Sequence, residues 1–216
     1  KLYAITQSSV IVDITPTGFV VGNANATVGG GYGVGLYSAG YYGTPRPDVG
    51  VVTPATTWTL DTWGEYLVGC SNFDGKIYEW QLDTTTPTVA AAVTNAPVSN
   101  IGVLVTNERS MFALGASGNP RKIAWSDLED NTVWTAASTN LAGSLELQTS
   151  GKIITAKRVR GQVLVLTDID AHVVSYVGQP FVYTSEFAGR ACGLAGPNAI
   201  AVQDNFAVWM GSRGFY

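Results

Sequence analysis

Charge is scarce in this chain: 13% of its 216 residues are Asp, Glu, Lys or Arg, the formal net charge is −4 and the isoelectric point lies near 4.9. A protein that grips nucleic acid through its phosphates needs a basic patch or stripe. None is present, so tight phosphate-driven binding is disfavoured. Histidine is scarcer still, with His172 the only one. A Ser-His-Asp or Cys-His constellation would have to be built around it, and no nucleophile elbow or similar local signature does so. His172 therefore reads as a structural strand residue. The two cysteines, Cys70 and Cys192, stand far apart and have no second Cys or His at metal-ligand spacing. They read as buried thiols, in keeping with assembly in a reducing compartment. No run approaches the ~18 apolar residues of a membrane span, and Lys1-Leu2-Tyr3-Ala4-Ile5-Thr6 has the pattern of a strand rather than of a signal peptide.

Other chemistry is equally thin. The pair Asp168 and Asp170 lacks the further oxygen ligands that a calcium loop supplies at set spacing, with Ala171 following. Glu65, Asp74, Asp127, Glu129, Asp130 and Glu146 are scattered through turn-like segments, where acids stabilise turns or face water. They do not form the facing pair that a glycoside hydrolase needs. The glycine-rich runs GGGYGVG and GASGNPRK are not followed by helix-forming segments that would aim backbone N–H groups at a phosphate. The sequence predicts no catalytic residue, no metal site and no cofactor.

What the chain does have is Thr, Val, Ala, Gly and aromatics, the composition of strands and turns. A two-strand unit recurs: an apolar run, a short Gly/Asp/Asn turn, then a second run that ends in an aromatic. Tyr66-Leu67-Val68-Gly69-Cys70 turns through Asp74-Gly75 into a run ending at Trp80, and Met111 to Leu114 turns through Gly118-Asn119-Pro120 into one ending at Trp125. Val163 to Leu166 turns through Asp168 to Asp170 into His172 to Tyr176, and Phe206 to Met210 turns through Ser212-Arg213-Gly214 into Phe215-Tyr216. Leu2 to Ile5 and Val10 to Ile14 form a weaker opening copy. The spacing of the leading runs is near the ~40–50 residues of a propeller blade. Short strands between the hairpins, at Ile101 to Val105, Ile153 to Ala156 and Ala199 to Val202, raise each repeat to at least three strands. Runs that are apolar on both faces fit blades sandwiched between neighbours. The prediction is a single all-β region over 1–216, a β-propeller of antiparallel hairpins, with a β-sandwich as the alternative. The chain begins inside one strand-like run and ends where another starts, which predicts an ordered part of a longer polypeptide.

Residues 28–50 break the period. The segment is rich in Gly and Tyr, pairing backbone freedom with large amphipathic side chains. It reads as an insertion whose Tyr32, Tyr37, Tyr41 and Tyr42 are candidate interface residues. The densest basic cluster, Lys157-Arg158-Val159-Arg160, reads as a solvated strand edge or a polar contact to a partner subunit.

Three runs carry a family resemblance: Ser126-Asp127-Leu128-Glu129-Asp130 after Trp125; Arg160-Gly161-Gln162-Val163-Leu164-Val165-Leu166-Thr167 followed by Val173 to Gly178; and Ala191 to Ala199. Together they resemble the propeller portion of tail hub, or nozzle, proteins of short-tailed bacteriophages, also called packaged-DNA stabilisation or tail accessory factors, over about Trp58 to Tyr216. The resemblance implies a non-enzymatic virion protein assembled in the bacterial host cytoplasm. It implies a homo-oligomeric ring, typically a hexamer, that contacts a tail adaptor and a spike, fibre or needle. Double-stranded DNA would pass through without tight binding, which the shortage of basic residues suits. The alternatives from the residues are a glycan-binding or adhesive propeller and a propeller glycoside hydrolase.

Overall fold

The computed structural model describes residues 3–5, 11–16, 22, 55–81 and 88–216. Tyr32, Tyr37, Tyr41 and Tyr42, with the whole 28–50 segment, lie outside the described residues. Among those described, helix is confined to one 3₁₀ turn at Ala116–Gly118, so no helix is long and apolar enough to cross a membrane.

A short hairpin comes first, β1 (Tyr3–Ile5) against β2 (Ile11–Asp13). Four antiparallel sheets then follow in chain order. Blade 1 is β3 (Trp58–Trp63), β4 (Tyr66–Ser71), β5 (Ile77–Trp80) and β6 (Ala91–Ala92); blade 2 is β7 (Gly102–Val105), β8 (Met111–Leu114), β9 (Lys122–Trp125) and β10 (Gly143–Glu146). Blade 3 is β11 (Ile153–Val159), β12 (Gln162–Thr167), β13 (Asp170–Gly178) and β14 (Val182–Arg190), and blade 4 is β15 (Ile200–Gln203), β16 (Phe206–Gly211) and β17 (Gly214–Phe215). Each strand pairs with the next in sequence, and the sheets are arranged as a four-bladed β-propeller. The sandwich alternative, two stacked sheets, is not what forms. The predicted opening copy makes its own two-stranded sheet rather than a blade.

The predicted hairpins are the second and third strands of the blades. Their turns follow from local chemistry. At the β4–β5 turn Gly75 adopts φ +64, and a Cβ there would come within 2.5 Å of the Ser99 Cα. Glycine alone meets both demands. Asp74 accepts the Lys76 N–H at 3.1 Å and the Tyr78 hydroxyl at 2.6 Å, pinning the turn to the strand it starts. The aromatics at the ends of the third strands have a shared task in blades 1 and 2. Trp80 donates its indole N–H to the Thr88 carbonyl at 2.9 Å, and Trp125 donates its own to Leu141 at 2.8 Å. In each case the acceptor lies just ahead of the fourth strand, so the indole anchors the chain where it returns to the sheet.

Packing between blades supplies the core. Trp63, Val68, Cys70 and Ile77 of blade 1 meet Val103, Val105, Met111 and Ala113 of blade 2. Phe112, Ile123 and Trp125 of blade 2 meet Ile153, Val165, Val174 and Tyr183 of blade 3. There Tyr183 packs edge-on against Phe112 and Trp125, with ring centroids 4.8 and 5.2 Å apart, a geometry that adds roughly 0.5–1.5 kcal/mol per pair to the burial. Leu164, Leu166 and Ala171 of blade 3, together with Cys192 and Leu194, meet Ile200, Ala207 and Trp209 of blade 4.

The innermost strands β3, β7, β11 and β15 surround an axial hollow of about 260 Å³. They are tied together by side chains. Thr59 Oγ1 accepts the Val103 N–H at 3.0 Å, and Asp61 Oδ2 accepts the Val105 N–H at 2.8 Å. Alternate residues of one inner strand thus satisfy the free donors along the edge of the next. Arg158 completes the lock, donating to the Val105 carbonyl at 2.8 Å and to Asp61 Oδ1 at 2.9 Å.

Candidate functional site: the open seam of the propeller

Three of the seams between blades are filled by apolar clusters. No such cluster joins blade 4 to blade 1 among the described residues. The strand alternation of blade 4 explains what this leaves uncovered. Register places Ala207, Trp209 and Ile200 on one face, and that face packs on blade 3. Phe206, Val208 and Met210 alternate onto the other face, where Met210 pairs with Phe215 of β17. These four side chains are 55%, 43%, 45% and 78% exposed. Contiguous exposed apolar faces, unlike scattered apolar residues, are the kind of surface through which proteins make contacts.

Blade 1 borders the seam on the other side. Its outward face carries Trp58, Leu67, Tyr78 and Trp80. Ile14 is buried against this cluster, and its carbonyl accepts the Ala90 N–H at 3.2 Å, so the residues just after β2 lie on part of that face. Leu60, on the same face, stays half-exposed.

The residues singled out for chemistry sit elsewhere. His172 is buried in blade 3 with Nε2 3.2 Å from Asp170 Oδ1, and Asp170 also accepts the hydroxyls of Thr149 and Thr167. Cys70 and Cys192 are free and buried. Burial, and secondarily the Asp74 charge, pushes the Cys70 thiol up to about 12, away from the thiolate form that reacts. No group of three or more metal-ligating side chains gathers among the described residues. The basic run lies at the end of β11, the inner edge strand of blade 3, where Lys157, Arg158 and Arg160 are exposed and Lys157 and Arg158 line the axial hollow.

The runs Ser126–Asp130, Arg160–Gly178 and Ala191–Ala199 lie after β9, through the hairpin of blade 3, and between blades 3 and 4. Ser126–Asp130 follows β9 as a tight turn in which Asp127 Oδ1 accepts the N–H groups of Leu128 and Leu141. Asp130 accepts the hydroxyl and N–H of Thr132, which hold its carboxyl below the usual carboxylate range. Arg160 and Gly161, both at positive φ, turn β11 into β12. The 191–199 segment links blade 3 to blade 4, and a Cβ on Gly193 would stand 2.0 Å from the Asp168 carbonyl oxygen.

Fold and seam together define the chain as a four-bladed propeller with an exposed apolar face on blade 4. Neither the scan of protein-family models nor the search of curated proteins finds a match to it.

Proposed function

We propose that the chain is a non-enzymatic structural subunit of a bacteriophage tail, one protomer of a hub or nozzle ring that assembles through the open seam. The observation that carries this reading is the uncovered face of Phe206, Val208, Met210 and Phe215, in a molecule that closes its other seams with the same kind of side chain. The occupant of that face is a second copy of the chain. The side of blade 1 that holds Trp58 and Leu60 differs from blade 4, so joining the two across a subunit boundary makes a head-to-tail contact. Such contacts close into rings when the rotation permits.

The ring order of six, the tail adaptor, and the spike, fibre or needle partners rest on the resemblance of the Ser126–Asp130, Arg160–Gly178 and Ala191–Ala199 runs to tail hub proteins. The role is mechanical: the ring holds packaged double-stranded DNA and then lets it pass. A low content of Lys and Arg favours passage, because each phosphate neutralised strengthens binding and slows movement.

Mass photometry of the full chain tests the reading. The expected result is ring-sized particles that Phe206→Asp, and separately the double substitution V208E/M210E, reduce to monomers with an unchanged circular-dichroism spectrum. A wild-type chain that stays monomeric at its highest soluble concentration sinks the proposal. So does assembly of either variant as well as the wild type, for instance because residues of the same chain cover the face.

A further inference from the structure

Blades 3 and 4 also border a hollow of about 660 Å³ that the ring contact does not use. That volume is within the range of small-molecule sites. Loops converge on it from residues 148–150 ahead of β11, from the β12–β13 turn and from the β16–β17 turn, and the end of β14 forms a further wall.

The floor is held rigidly. Asp170 is buried and accepts the Thr149 hydroxyl at 2.6 Å, the Thr167 hydroxyl, and a contact from His172 Nε2 at 3.2 Å. His172 packs edge-on against Phe187 with ring centroids 5.4 Å apart, and the Arg190 guanidinium lies over the Phe187 ring at 5.5 Å. A buried pair therefore fixes an aromatic ring at the wall of the hollow, and that ring supports a cation.

Two guanidiniums on the hollow have no carboxylate partner. Arg190 and Arg213 both line the hollow, and among the described residues neither has a carboxylate within ion-pair distance. Asp168 also lines it, with one carboxylate oxygen accepting the Lys152 N–H at 2.8 Å. A bare anion would suit the two guanidiniums but meet the Asp168 carboxylate. A neutral polyol would suit Asp168 and leave both guanidiniums unpaired. A ligand with one acid group and several hydroxyls satisfies both kinds of partner.

We propose that this hollow binds a carboxylate-bearing saccharide. Its acid group pairs with Arg213 and with Arg190, which Phe187 holds from beneath, and its hydroxyls donate to Asp168 and exchange hydrogen bonds with Ser150 and Ser212. Guanidinium–carboxylate pairs are charge-assisted, and losing one of them weakens such a ligand by about tenfold or more.

The test is calorimetric titration of the full chain with the methyl glycoside of glucuronic acid, its methyl ester and acetate. The acid sugar is expected to bind at least about tenfold more tightly than either control, since only it meets both the guanidiniums and Asp168. Arg190→Gln and Arg213→Gln, both exposed positions, are each expected to weaken it about tenfold with the circular-dichroism spectrum unchanged. Equal binding of acid and ester, equal binding of acetate, or no saturable heat with the acid sugar overturns the proposal. Phe206→Asp separates the two readings: it breaks the ring and leaves saccharide binding intact.

Discussion

Blades 2 and 4 are built from strands of nearly equal apolar content, Met111-Phe112-Ala113-Leu114 in β8 and Phe206-Ala207-Val208-Trp209-Met210 in β16, yet they end in different surroundings. Every residue of β7 and β8 is buried, whereas β16 alternates between half-buried and exposed. The difference is one of position. Apolar clusters pack blade 2 on both sides, and among the described residues they pack blade 4 only on the side of Trp209. A strand apolar on both faces therefore records how many neighbours it expects, and in blade 4 one of them is not supplied by the described residues.

The largest effect expected is at the core of blade 2. Phe112→Ala removes the ring at the centre of the Trp125–Tyr183 cluster and is expected to cost about 3–5 kcal/mol by urea denaturation, while Phe206→Ala in the monomeric background is expected to stay within about 0.5 kcal/mol. Similar costs at the two positions would break the comparison, because they would mean that the outer face of blade 4 is already covered within the monomer.

Next in size is the axial lock. Asp61→Ala leaves the Val105 N–H without its acceptor and frees Arg158, at a site where the Asp61 side chain is 9% exposed. The expected loss is about 1–3 kcal/mol, the cost of an orphaned buried donor. The exposed Arg158 end of the ion pair adds little of its own. Because the lock joins blades 1, 2 and 3 and omits blade 4, Asp61→Ala is expected to leave the Trp209 environment unchanged below the unfolding transition, as indole fluorescence or NMR would report.

How much of this is readable from residues alone differs by level. The Asp74-Gly75 turn, the Trp80 and Trp125 strand ends and the second and third strands are local features, and short-range chemistry is enough to place them. The outer strand β10 escapes because Gly143-Ser144-Leu145-Glu146 sits at the solvent edge and carries little apolar signal. The first strand β3 escapes for another reason: Thr59 and Asp61 are polar because they serve the neighbouring blade. The partnership of Asp61 with Arg158, 97 residues apart, exists only once the ring brings the inner strands together, so no local signal announces it. The same holds for the hollow of Arg190, Arg213 and Phe187, whose walls come from three loops and the end of β14. The exposed face of blade 4 was legible as strand but not as surface, since Phe206 and Phe112 look alike until the seams are counted.

A smaller effect sharpens the contrast between closed and open seams. Trp125→Phe and Trp209→Phe each delete one indole N–H, to the Leu141 and Cys192 carbonyls respectively. Each is expected to cost about 0.5–1.5 kcal/mol, and the Trp209 loss should be the lesser because the Trp209 side chain is half-buried whereas Trp125 is 3% exposed. An equal or larger loss at Trp209 would show that the seam between blades 3 and 4 is as dry as the one between blades 2 and 3.

The smallest effect is kinetic and uses the two thiols as reporters of the seams. Cys70 lies in the cluster between blades 1 and 2, and Cys192 in the cluster between blades 3 and 4. Burial raises both, Cys70 from 9.0 to about 12. Folding holds the Cys70 proton more tightly than the unfolded chain does. Its stabilising contribution is therefore complete below pH 9 and is lost as the pH rises from 9.0 toward about 12, a loss that Cys70→Ala abolishes. At neutral pH reaction of either thiol waits for local opening, and a blade covered on one face opens more readily than one covered on both. Maleimide labelling followed by peptide mass spectrometry is expected to modify Cys192 before Cys70. Adding the ring contact on the far face of blade 4 is expected to slow Cys192 alone. Equal rates in the monomer would mean that the open seam costs blade 4 nothing in local stability, and the exposed phenylalanine face would then be tolerated without a partner.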